Sequence, residues 1–358
     1  MKEKDFEFVC PKTKGGLQWL DISALRELAP DSNKIDQACS GAYLSSNTGI
    51  AYPVIDGIHV FLESEAIAIE ENRIFEVVQQ IPADDPKERV RKWYDNFGWT
   101  KNKSGVYHNS AIWSFSTLNV SKRYEISSHL SLIERLGMGQ FLLDAASGAL
   151  PHPEQLAYSM YFKSHVCVDF SRTALLEAKE KLGDKGIYVL ADICNLPFPD
   201  NFFDGIISAY TIQHIEQSSQ SLAVRELYRV LQPGKTLLIV SSMPLNTLHR
   251  HWFIFVSRVL SKLNILLTNA ERSKITHEET KYPPLYTRTR KLQWWKSMCK
   301  ELNANYRCGC FRCYRPMEAE RLFGHSPFGV SKIRALEILF ARLLSPVSAY
   351  LLINVVKP

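Results

Sequence analysis

Acidic residues follow three apolar stretches in the middle of the chain, and a glycine accompanies the first of them. "LLDAASGAL" contains Asp144 and Gly148, "HVCVDFS" contains Asp169, and "LADICNLPF" contains Asp192. Asp169 stands about twenty residues beyond Gly148, the spacing at which a carboxylate reaches ribose hydroxyls. Asp192 can accept a hydrogen bond from an adenine amino group while the Ile193 backbone meets the ring edge. These residue types in this order predict a nucleoside-binding site.

Strands that alternate with helices must position these acids. The apolar runs "FLLDAA", "HVCVDF", "IYVLAD", "GIISAY" and "TLLIVSS" predict strands, and patterns such as "SRTALLEAKEKLG" and "QSLAVRELYRVLQPG" predict helices. Ser171 is a candidate N-cap, and both helical patterns end at glycine. This alternation predicts a doubly wound α/β sheet, whose ligand lies at the carboxyl ends of the strands. "NYRCGCFRCY" and "AYLLINVVKP" predict two final strands.

The loop after the first of these strands discriminates between cofactors. A pyrophosphate needs several glycines, as in G-x-G-x-x-G, so that backbone N–H groups can surround it. The stretch "DAASGAL" has one glycine, Gly148. A cofactor without phosphates needs only one close approach of the backbone. The loop therefore argues against NAD and favours S-adenosylmethionine.

Residues 140–241 resemble the class I S-adenosylmethionine-dependent methyltransferases. The resemblance runs through "FLLDAASGAL", "VCVDFS", "ADICNLPFPDNFFDGIISAYTIQHI" and "ELYRVLQPGKTLLIV". It implies a Rossmann-like sheet of seven strands with the last strand antiparallel, and S-adenosylmethionine as cofactor. The cofactor contacts that it implies, together with two neighbours that we add as candidates (Phe170 and Tyr210), are Asp144, Gly148, Asp169, Phe170, Asp192, Ile193 and Tyr210.

Two positions of the loop depart from the family pattern. Ala146 and Leu150 stand where most members carry further glycines, so we expect a somewhat differently shaped loop. Upstream, "VRKWYDNFGW" resembles the helix that precedes the core in many members and lies over the cofactor. We expect Tyr94 in this helix to pack, with contact to the methionine end of the cofactor as the alternative.

The first zone of the chain resembles a different family. "CPKTKGGL" and "YPVIDGIHVFL" are similar to the small zinc-ribbon proteins that activate certain tRNA and release-factor methyltransferases. Thr13 occupies the position of the second cysteine after Cys10, and Cys39 has no obvious mate. Because a closed zinc site needs four ligands, we expect a zinc-free, structural module docked on the catalytic domain. The predicted domains are a β-rich module over 1–64, a helical linker with lid helices over 65–130, and the methyltransferase domain over 131–358.

Composition narrows the range of partners and compartments. The chain has 358 residues and a net charge of +6, without the clustered basic residues of a nucleic-acid-binding protein. "MKEKDFEFVC" places charges where a signal peptide needs an apolar core, and the apolar stretch over 335–356 is interrupted by charges and a proline. Eight cysteines without an export signal predict reduced thiols in a cytoplasmic protein.

Cys308, Cys310 and Cys313 lie together without an evident fourth ligand, so we expect no metal.

A histidine follows the fourth strand, on the side where the methyl acceptor is expected. A base is needed only if the acceptor carries a proton at neutral pH, as a hydroxyl does, and His214 in "TIQHI" has the side chain for that task. A purely structural histidine is the alternative. His249 and His251 are weaker candidates.

An insert over about 243–288 follows the fifth strand. At helical spacing it carries Trp252, Phe255, Val256, Val259, Leu263 and Leu266, opposite Arg250, Ser257, Ser261 and Asn264. One interpretation is a lid packed over the acceptor site. The other is a basic amphipathic face over 249–267 that rests on a membrane or holds an amphiphilic acceptor.

Three classes of function remain at this point. We favour an enzyme that methylates a hydroxyl of a small molecule, a glycan or a lipid-linked acceptor. The alternative is a methyltransferase for tRNA, rRNA or protein whose N-terminal module helps to bind the target. The third class is a cofactor-binding scaffold without catalysis. "AYTI" stands where amino-directed enzymes carry an "NPPY"-type tetrapeptide, which favours the small acceptor.

Overall fold

One twelve-stranded sheet connects the parts of the chain that the computed structural model describes. These are residues 5–30, 32–35, 38–69, 85–103, 105, 107–108, 119–244, 247–262, 285–315, 318–319, 322 and 327–358. The strands are β1 Gln18–Asp21, β2 Cys39–Ser45, β3 Ile50–Ile55, β4 Ile58–Val60, β5 Ile67–Ala68, β6 Gly139–Ala145, β7 Phe162–Asp169, β8 Gly186–Leu190, β9 Phe203–Ala209, β10 Leu231–Ser242, β11 Asn305–Arg312 and β12 Tyr350–Val356. The order across the sheet is β1-β2-β3-β4-β8-β7-β6-β9-β10-β12-β11, and β5 pairs with β3.

Helices cover this sheet and connect its strands. They are α1 Ile22–Leu28, α2 Pro86–Trp93, α3 Asn119–Leu136, α4 Pro153–Leu156, α5 Arg172–Leu182, α6 Gln220–Val230, α7 Thr247–Lys262, α8 Leu292–Glu301, α9 Pro327–Leu339 and α10 Ala341–Leu344. As predicted, the Ser171 hydroxyl caps α5 by accepting from the Ala174 N–H at 3.1 Å, and the helix ends at Gly183 with φ +55°. Among the described helices, none combines the length and apolarity needed to cross a bilayer.

Strands β6 to β12 form the doubly wound part that the sequence predicts. Strands β8, β7, β6, β9 and β10 run parallel to one another, and β12 is antiparallel to both of its neighbours. The last strand is therefore antiparallel, as expected. The catalytic part contributes the seven strands β6 to β12, but the sheet as a whole has twelve, because five strands from the N-terminal zone (described residues up to 69) extend it.

The N-terminal zone joins the catalytic sheet through β4. Ile58 pairs with Tyr188 and Val60 with Leu190, in a parallel ladder at the β8 edge. In "YPVIDGIHVFL" the pair Asp56-Gly57 between strand-like residues predicts a hairpin. Strands β3 and β4 form it, with Asp56 (φ +53°) and Gly57 (φ +71°) left-handed in the turn. The first apolar run, "FVCP", forms no strand: among its residues Val9 makes an isolated bridge, because the chain turns back at once.

Aromatic packing fixes the N-terminal zone to the catalytic core. The Phe6 ring contacts Phe141, Phe198 and Phe202 at centroid distances of 5.1, 6.1 and 5.5 Å. Phe8 is 7% exposed and stacks on Phe198 at 5.7 Å. Full burial of one such side chain stabilises the fold by about 1.5–3 kcal/mol. The N-terminal zone and the catalytic part thus share one hydrophobic core.

The segment between the N-terminal zone and the catalytic part, residues 63–92, differs in part from the predicted helix. The charged pattern over 63–92 predicts helix, but the chain forms a short 3₁₀ turn at Glu63–Glu65 and then β5. Helix α2 begins later, where the Asp85 carboxylate accepts from the Lys87 N–H at 2.9 Å and Pro86 occupies the first turn. The stretch "IPADDPKE", which interrupts the helical pattern, predicts a linker. Its first half lies outside the described residues, and its second half forms the N-cap and first turn of α2.

Candidate active site

A cavity of about 750 Å³ opens at the carboxyl ends of the parallel strands. Its wall includes every predicted cofactor contact and the preferred candidate base: Asp144, Gly148, Asp169, Phe170, Asp192, Ile193, Tyr210 and His214. This is the edge where ligands of doubly wound sheets bind, because the strand-to-helix loops diverge there. The fold therefore brings together side chains that are up to 70 positions apart in the chain.

The loop after β6 has the backbone of a glycine-rich loop. Ala146 has φ +60°, Gly148 +58° and Leu150 +47°, all in the left-handed region. Ala146 and Leu150 thus adopt the conformation that glycine favours, and the expectation of a different loop shape fails at both positions. A side chain with Cβ costs about 1–2 kcal/mol in this region. At Gly148 a Cβ would also lie 2.4 Å from the Trp99 ring, so the close approach there requires glycine.

Trp99 and Tyr94 cover this loop from the segment that follows α2. Their rings stack at 5.4 Å with an interplanar angle of 20°, and both line the cavity. Burial raises the pKa of the Tyr94 hydroxyl above its usual value, and the nearby Asp169 carboxylate adds to this rise. Tyr94 therefore packs as expected and also borders the cavity. A contact with the methionine end of the cofactor stays a prediction.

Asp169 lies at the end of β7 and is 5% exposed. Its Oδ2 accepts from the Gly148 N–H and its Oδ1 from the Ser171 N–H, both at 2.9 Å. Burial raises the pKa of the Asp169 carboxyl to about 7, although these hydrogen bonds oppose the shift, and the Asp95 carboxylate contributes to the rise. The carboxyl group is thus held rigidly against the glycine of the loop and titrates near neutral pH.

Asp192 follows β8 and is held by two donors. Its Oδ1 accepts from the Cys194 N–H at 2.9 Å, and its Oδ2 forms an ion pair with the Lys87 ammonium. Burial lowers the pKa of Lys87, but the Asp192 carboxylate outweighs this effect and raises it above its usual value. Sequence reasoning missed Lys87 as a site residue. Its position seven residues before Tyr94, two helical turns away, was the available signal.

His214 ends a 3₁₀ turn that follows β9. Its Nδ1–H donates to the Tyr286 carbonyl at 2.9 Å, because a carbonyl oxygen can only accept. The assignment leaves the lone pair on Nε2. Burial lowers the pKa of His214, so the ring is neutral at physiological pH. A neutral imidazole with a fixed tautomer in a cavity wall can accept a proton from a bound hydroxyl.

The other two candidate bases lie elsewhere. His249 Nδ1 donates to the Val347 carbonyl at 2.7 Å, and its Nε2 lies 3.2 Å from Glu318. Neither His249 nor His251 lines the cavity within the described part of the chain. His249 therefore connects helix α7 to the turn before β12, which is a structural role.

Helix α7 does not present the apolar face that the spacing predicts. Trp252 and Val256 pack against the cluster around Tyr314, whereas Phe255 and Val259 are 58% and 41% exposed. Neither the lid nor the membrane interpretation accounts for all of these positions, and contact with a membrane through 249–267 stays a prediction. Leu263, Asn264 and Leu266 lie outside the described residues.

The cysteine cluster near β11 is buried but already satisfied. Cys310 and Cys313 have their sulfurs 3.5 Å apart, and with Glu337 they are the one group of three metal-capable side chains among the described residues. The Glu337 carboxylate accepts from the Tyr124 hydroxyl, from the Cys313 N–H at 2.6 Å and from Arg334 at 2.7 Å. These donors compete with a metal ion for the Glu337 oxygens, and the absence of a metal at this cluster stays a prediction.

Several cavity residues come from segments that sequence reasoning did not connect with the site. They include Glu125 and His129 of α3, His152 before α4, Arg312 of β11 and Tyr350 of β12, together with Lys12 and Lys14 of the N-terminal zone. Burial lowers the pKa of His129 and of His152, so both rings are neutral. The signal for Arg312 was present in the sequence: an arginine in an otherwise apolar predicted strand.

Comparison with known proteins identifies methyltransferases as similar to this chain. Residues 143–239 match the family described as a methyltransferase domain. The ubiquinone/menaquinone biosynthesis C-methyltransferase UbiE of Shewanella sediminis is 32% identical over 186 residues, which cover 48% of this chain and 71% of the relative. UbiE of Yersinia pestis is 30% identical over 182 residues, covering 48% and 70%. Among solved structures, phosphoethanolamine N-methyltransferase 2 of Haemonchus contortus, in complex with S-adenosyl-L-methionine, is similar with a TM-score of 0.44 at 18% identity, over 75% of this chain and 60% of that one.

Proposed function

Because this chain belongs to the S-adenosylmethionine-dependent methyltransferases, in the family that contains the ubiquinone/menaquinone biosynthesis C-methyltransferases, we propose that it methylates a small acceptor whose hydroxyl is deprotonated by His214. The protein is a transferase with S-adenosylmethionine as its cofactor. When bound, this cofactor supplies a methyl group that is already electrophilic because it is attached to a sulfonium. The residues of the chain then have to align the acceptor and exclude water.

The residues at the strand ends fit this cofactor. Asp169 and Asp192 offer carboxylate oxygens for ribose hydroxyls and for an adenine amino group, and the Gly148 backbone allows close approach. The N–H groups of Ala146 and Ser147 donate to the Val168 carbonyl and that of Gly148 donates to Asp169, so they are not free to surround a pyrophosphate. Tyr94 and Trp99 form an aromatic wall of stacked rings on one side of the cavity.

The hydrogen bond from His214 Nδ1 to the Tyr286 carbonyl is the observation that carries the proposal. It fixes the tautomer in which Nε2 is the basic atom, and the lowered pKa keeps the ring neutral and ready to accept a proton. In the proposed reaction, Nε2 would take the hydroxyl proton as the acceptor forms its bond to the methyl carbon, and the bond from that carbon to sulfur would break to leave S-adenosylhomocysteine. General-base assistance of this kind contributes about 10²–10⁴-fold to a rate.

We infer that the hydroxyl belongs to a phenol or an enol. Deprotonation of either group spreads negative charge over the oxygen and the carbon two bonds away, which is the ortho carbon of a phenol, so the same base serves O-methylation and C-methylation. A phenol methylated at carbon then loses the ring proton to solvent and becomes aromatic again. The relatives are named as C-methyltransferases, which supports the carbon as the accepting atom. Phenols and enols also need less basic catalysts than sugar hydroxyls, which suits an imidazole with a lowered pKa.

The size of the cavity supports a small acceptor. Ligand pockets measure about 300–1,000 Å³, and a cavity of about 750 Å³ holds a nucleoside cofactor together with one small molecule. Methylation of tRNA, rRNA or protein is the competing proposal. It would require an open surface on which the N-terminal zone presents the target.

A panel of acceptors tests the proposal. Phenols, enols, simple alcohols, a glycan, unmodified tRNA and a protein extract are incubated with S-adenosylmethionine, and release of S-adenosylhomocysteine is measured. We expect turnover with at least one phenol or enol and a loss of about 10²-fold or more in His214→Gln. His251→Gln is the matched control, because this exposed residue lies outside the cavity, and it should behave as the wild type. Turnover confined to tRNA or protein, or full activity of His214→Gln, would contradict the proposal.

A further inference from the structure

An arginine is buried in the wall of the active-site cavity. Arg312 is the last residue of β11, lies opposite Tyr350 of β12, and is 2% exposed. The register of the two strands shifts between Cys310 and Arg312, and such a bulge re-aims the side chain that it contains. Burial of a guanidinium is costly unless its charge and its N–H groups find partners. The partners of Arg312 therefore indicate what this residue is for.

Within the described part of the chain, these partners leave donors unused. Nη2 donates to the Tyr210 hydroxyl at 2.7 Å, while Nη1 lies 3.5 Å from Glu125 Oε1, at the outer limit of a hydrogen bond. Nε is buried and has no partner among the described residues. A guanidinium offers five N–H donors, so most of them are not engaged in good hydrogen bonds.

A neighbouring buried arginine shows what a structural role looks like. Arg334 is 6% exposed, and its Nη1 donates to the Phe311 carbonyl at 2.6 Å and to Glu337 at 2.7 Å. Arg334 lies outside the cavity wall, whereas Arg312 is part of it. Both arginines are buried, and both leave Nε without a partner among the described residues. They differ at Nη1, which has two close acceptors in Arg334 and one at 3.5 Å in Arg312, so Arg334 serves as the reference.

Aromatic rings hold the Arg312 charge without using its donors. The guanidinium carbon lies 4.5 Å from the centre of the Tyr350 ring and 5.6 Å from that of Tyr210. Cation–π contacts of this kind stabilise the charge through the faces of the rings and fix the plane of the guanidinium. Its N–H edge remains available for a planar or tetrahedral oxyanion, the ligand that arginine binds in a bidentate manner.

The surrounding histidines do not compete for an anion. His129 and His152 line the same part of the cavity, and burial lowers the pKa of each, so both are neutral. The Glu125 carboxylate lies 3.5 Å from Arg312 Nη1, a longer contact than the 2.7 Å ion pair between Arg334 and Glu337. Arg312 is thus the permanent cation in this part of the cavity.

From this geometry we infer that Arg312 binds an anionic group of the acceptor, a carboxylate or a phosphate, and so sets the specificity of the enzyme for acidic acceptors. This inference rests on the proposed function, because the acceptor must enter the cavity for Arg312 to reach it. Arg312 acts in recognition: it anchors one end of the acceptor while His214 serves the hydroxyl at the other.

Binding of simple probes tests this inference without any methyl transfer. The full-length protein saturated with S-adenosylhomocysteine is titrated calorimetrically with benzoate, phenyl phosphate and the neutral benzamide. At least one anion should bind about tenfold or more tightly than benzamide, because charge-assisted bidentate hydrogen bonds are lost with the amide. Whether benzoate or phenyl phosphate binds better decides between carboxylate and phosphate.

Variants of the protein test whether Arg312 causes the preference for anions over benzamide. In Arg312→Lys the preference for the anion should fall by about fivefold or more, while Arg334→Lys should retain it. His214→Gln should also retain it, so that failure of the base and failure of the anion site are told apart. Equal binding of benzamide and both anions by the wild type would overturn the inference, whether or not the variants fold. So would a comparable loss of S-adenosylhomocysteine affinity in Arg312→Lys, because Arg312 would then hold the carboxylate of the cofactor.

Discussion

Ile58 pairs with Tyr188 in a parallel ladder, so a strand of the N-terminal zone continues the catalytic sheet beyond its β8 edge. The next residue but two, Phe61, donates its N–H to the Leu190 carbonyl at 2.8 Å. Unpaired strand edges invite aggregation, and covering them is one way in which proteins avoid it. The N-terminal zone thus covers an edge that the catalytic part would otherwise expose.

Deletion of residues 1–64 should leave insoluble or markedly less thermostable protein, because it uncovers this edge and removes Phe6 and Phe8 from the shared core. Any fraction that stays folded should keep its acceptor preference. The point variant Phe8→Ala should lower the free energy of unfolding by about 3–5 kcal/mol. Leu28→Ala, at a residue 46% exposed in the same zone, is the control and should change it by about 0.5 kcal/mol or less.

The rival role for the N-terminal zone is recognition of the acceptor, since Lys12 and Lys14 border the cavity. A truncated enzyme that unfolds at the same temperature as the full chain but no longer accepts its substrate would favour that role. Thermal unfolding and the acceptor panel, measured on the same preparation, separate the two.

Strain in the cofactor loop gives a second prediction. Ala146 has φ +60°, so Ala146→Gly should raise the free energy of unfolding by about 0.5–1 kcal/mol, because relief of the left-handed strain exceeds the added entropy of the unfolded chain. Ala178→Gly, within helix α5, should instead lower it by about 1 kcal/mol. Urea unfolding measures both. A loss of stability in Ala146→Gly would show that the loop is not strained at this residue.

The raised pKa of Asp169 predicts a pH-dependent affinity for the cofactor. Only the ionised carboxylate can accept from both ribose hydroxyls, and burial, aided by the Asp95 carboxylate, raises its pKa to about 7. Affinity is therefore fully present above pH 7 and declines as the pH falls through that value. Between pH 8 and pH 6 the dissociation constant of S-adenosylhomocysteine should rise about tenfold. Asp169→Asn should bind weakly at both pH values, and an equal affinity of the wild type at both would refute the role.

Elemental analysis of the purified protein should find far less than one zinc ion per chain. Thr13 replaces a ligand in the N-terminal zone, and the Glu337 oxygens beside Cys310 and Cys313 already accept hydrogen bonds. A closed structural site requires four ligands. One zinc per chain would contradict this prediction, and Cys39→Ala compared with Cys313→Ala would then locate the ion.

Local signals in the sequence predicted much of the fold. The Ser171 cap, the Asp56-Gly57 hairpin and the antiparallel last strand depend on neighbouring residues or on alternation, which can be read directly. The pairing of β4 with β8 joins segments about 130 residues apart, and nothing local encodes it. For that reason the predicted strand count was too low.

The site residues likewise fall into two groups, those that local sequence predicts and those that it does not. The acids Asp169 and Asp192 lie at strand ends, where spacing alone predicted them. Arg312 and Lys87 enter the cavity from a late strand and from a helix upstream of the core, so their role depends on tertiary packing. For helix α7 the helical spacing was predicted correctly, but the predicted apolar face was wrong. Trp252 and Val256 pack against the cluster around Tyr314, whereas Phe255 and Val259 are exposed.

Calorimetric titration with S-adenosylhomocysteine at pH 8 tests most directly whether this cavity is the cofactor site of a methyltransferase. The wild type should bind S-adenosylhomocysteine and should not bind NAD. Asp169→Ala should weaken binding by about 1.5–3 kcal/mol, the contribution of hydrogen bonds to a charged group. No binding by the wild type at millimolar concentration, or an unchanged affinity in Asp169→Ala, would contradict the account.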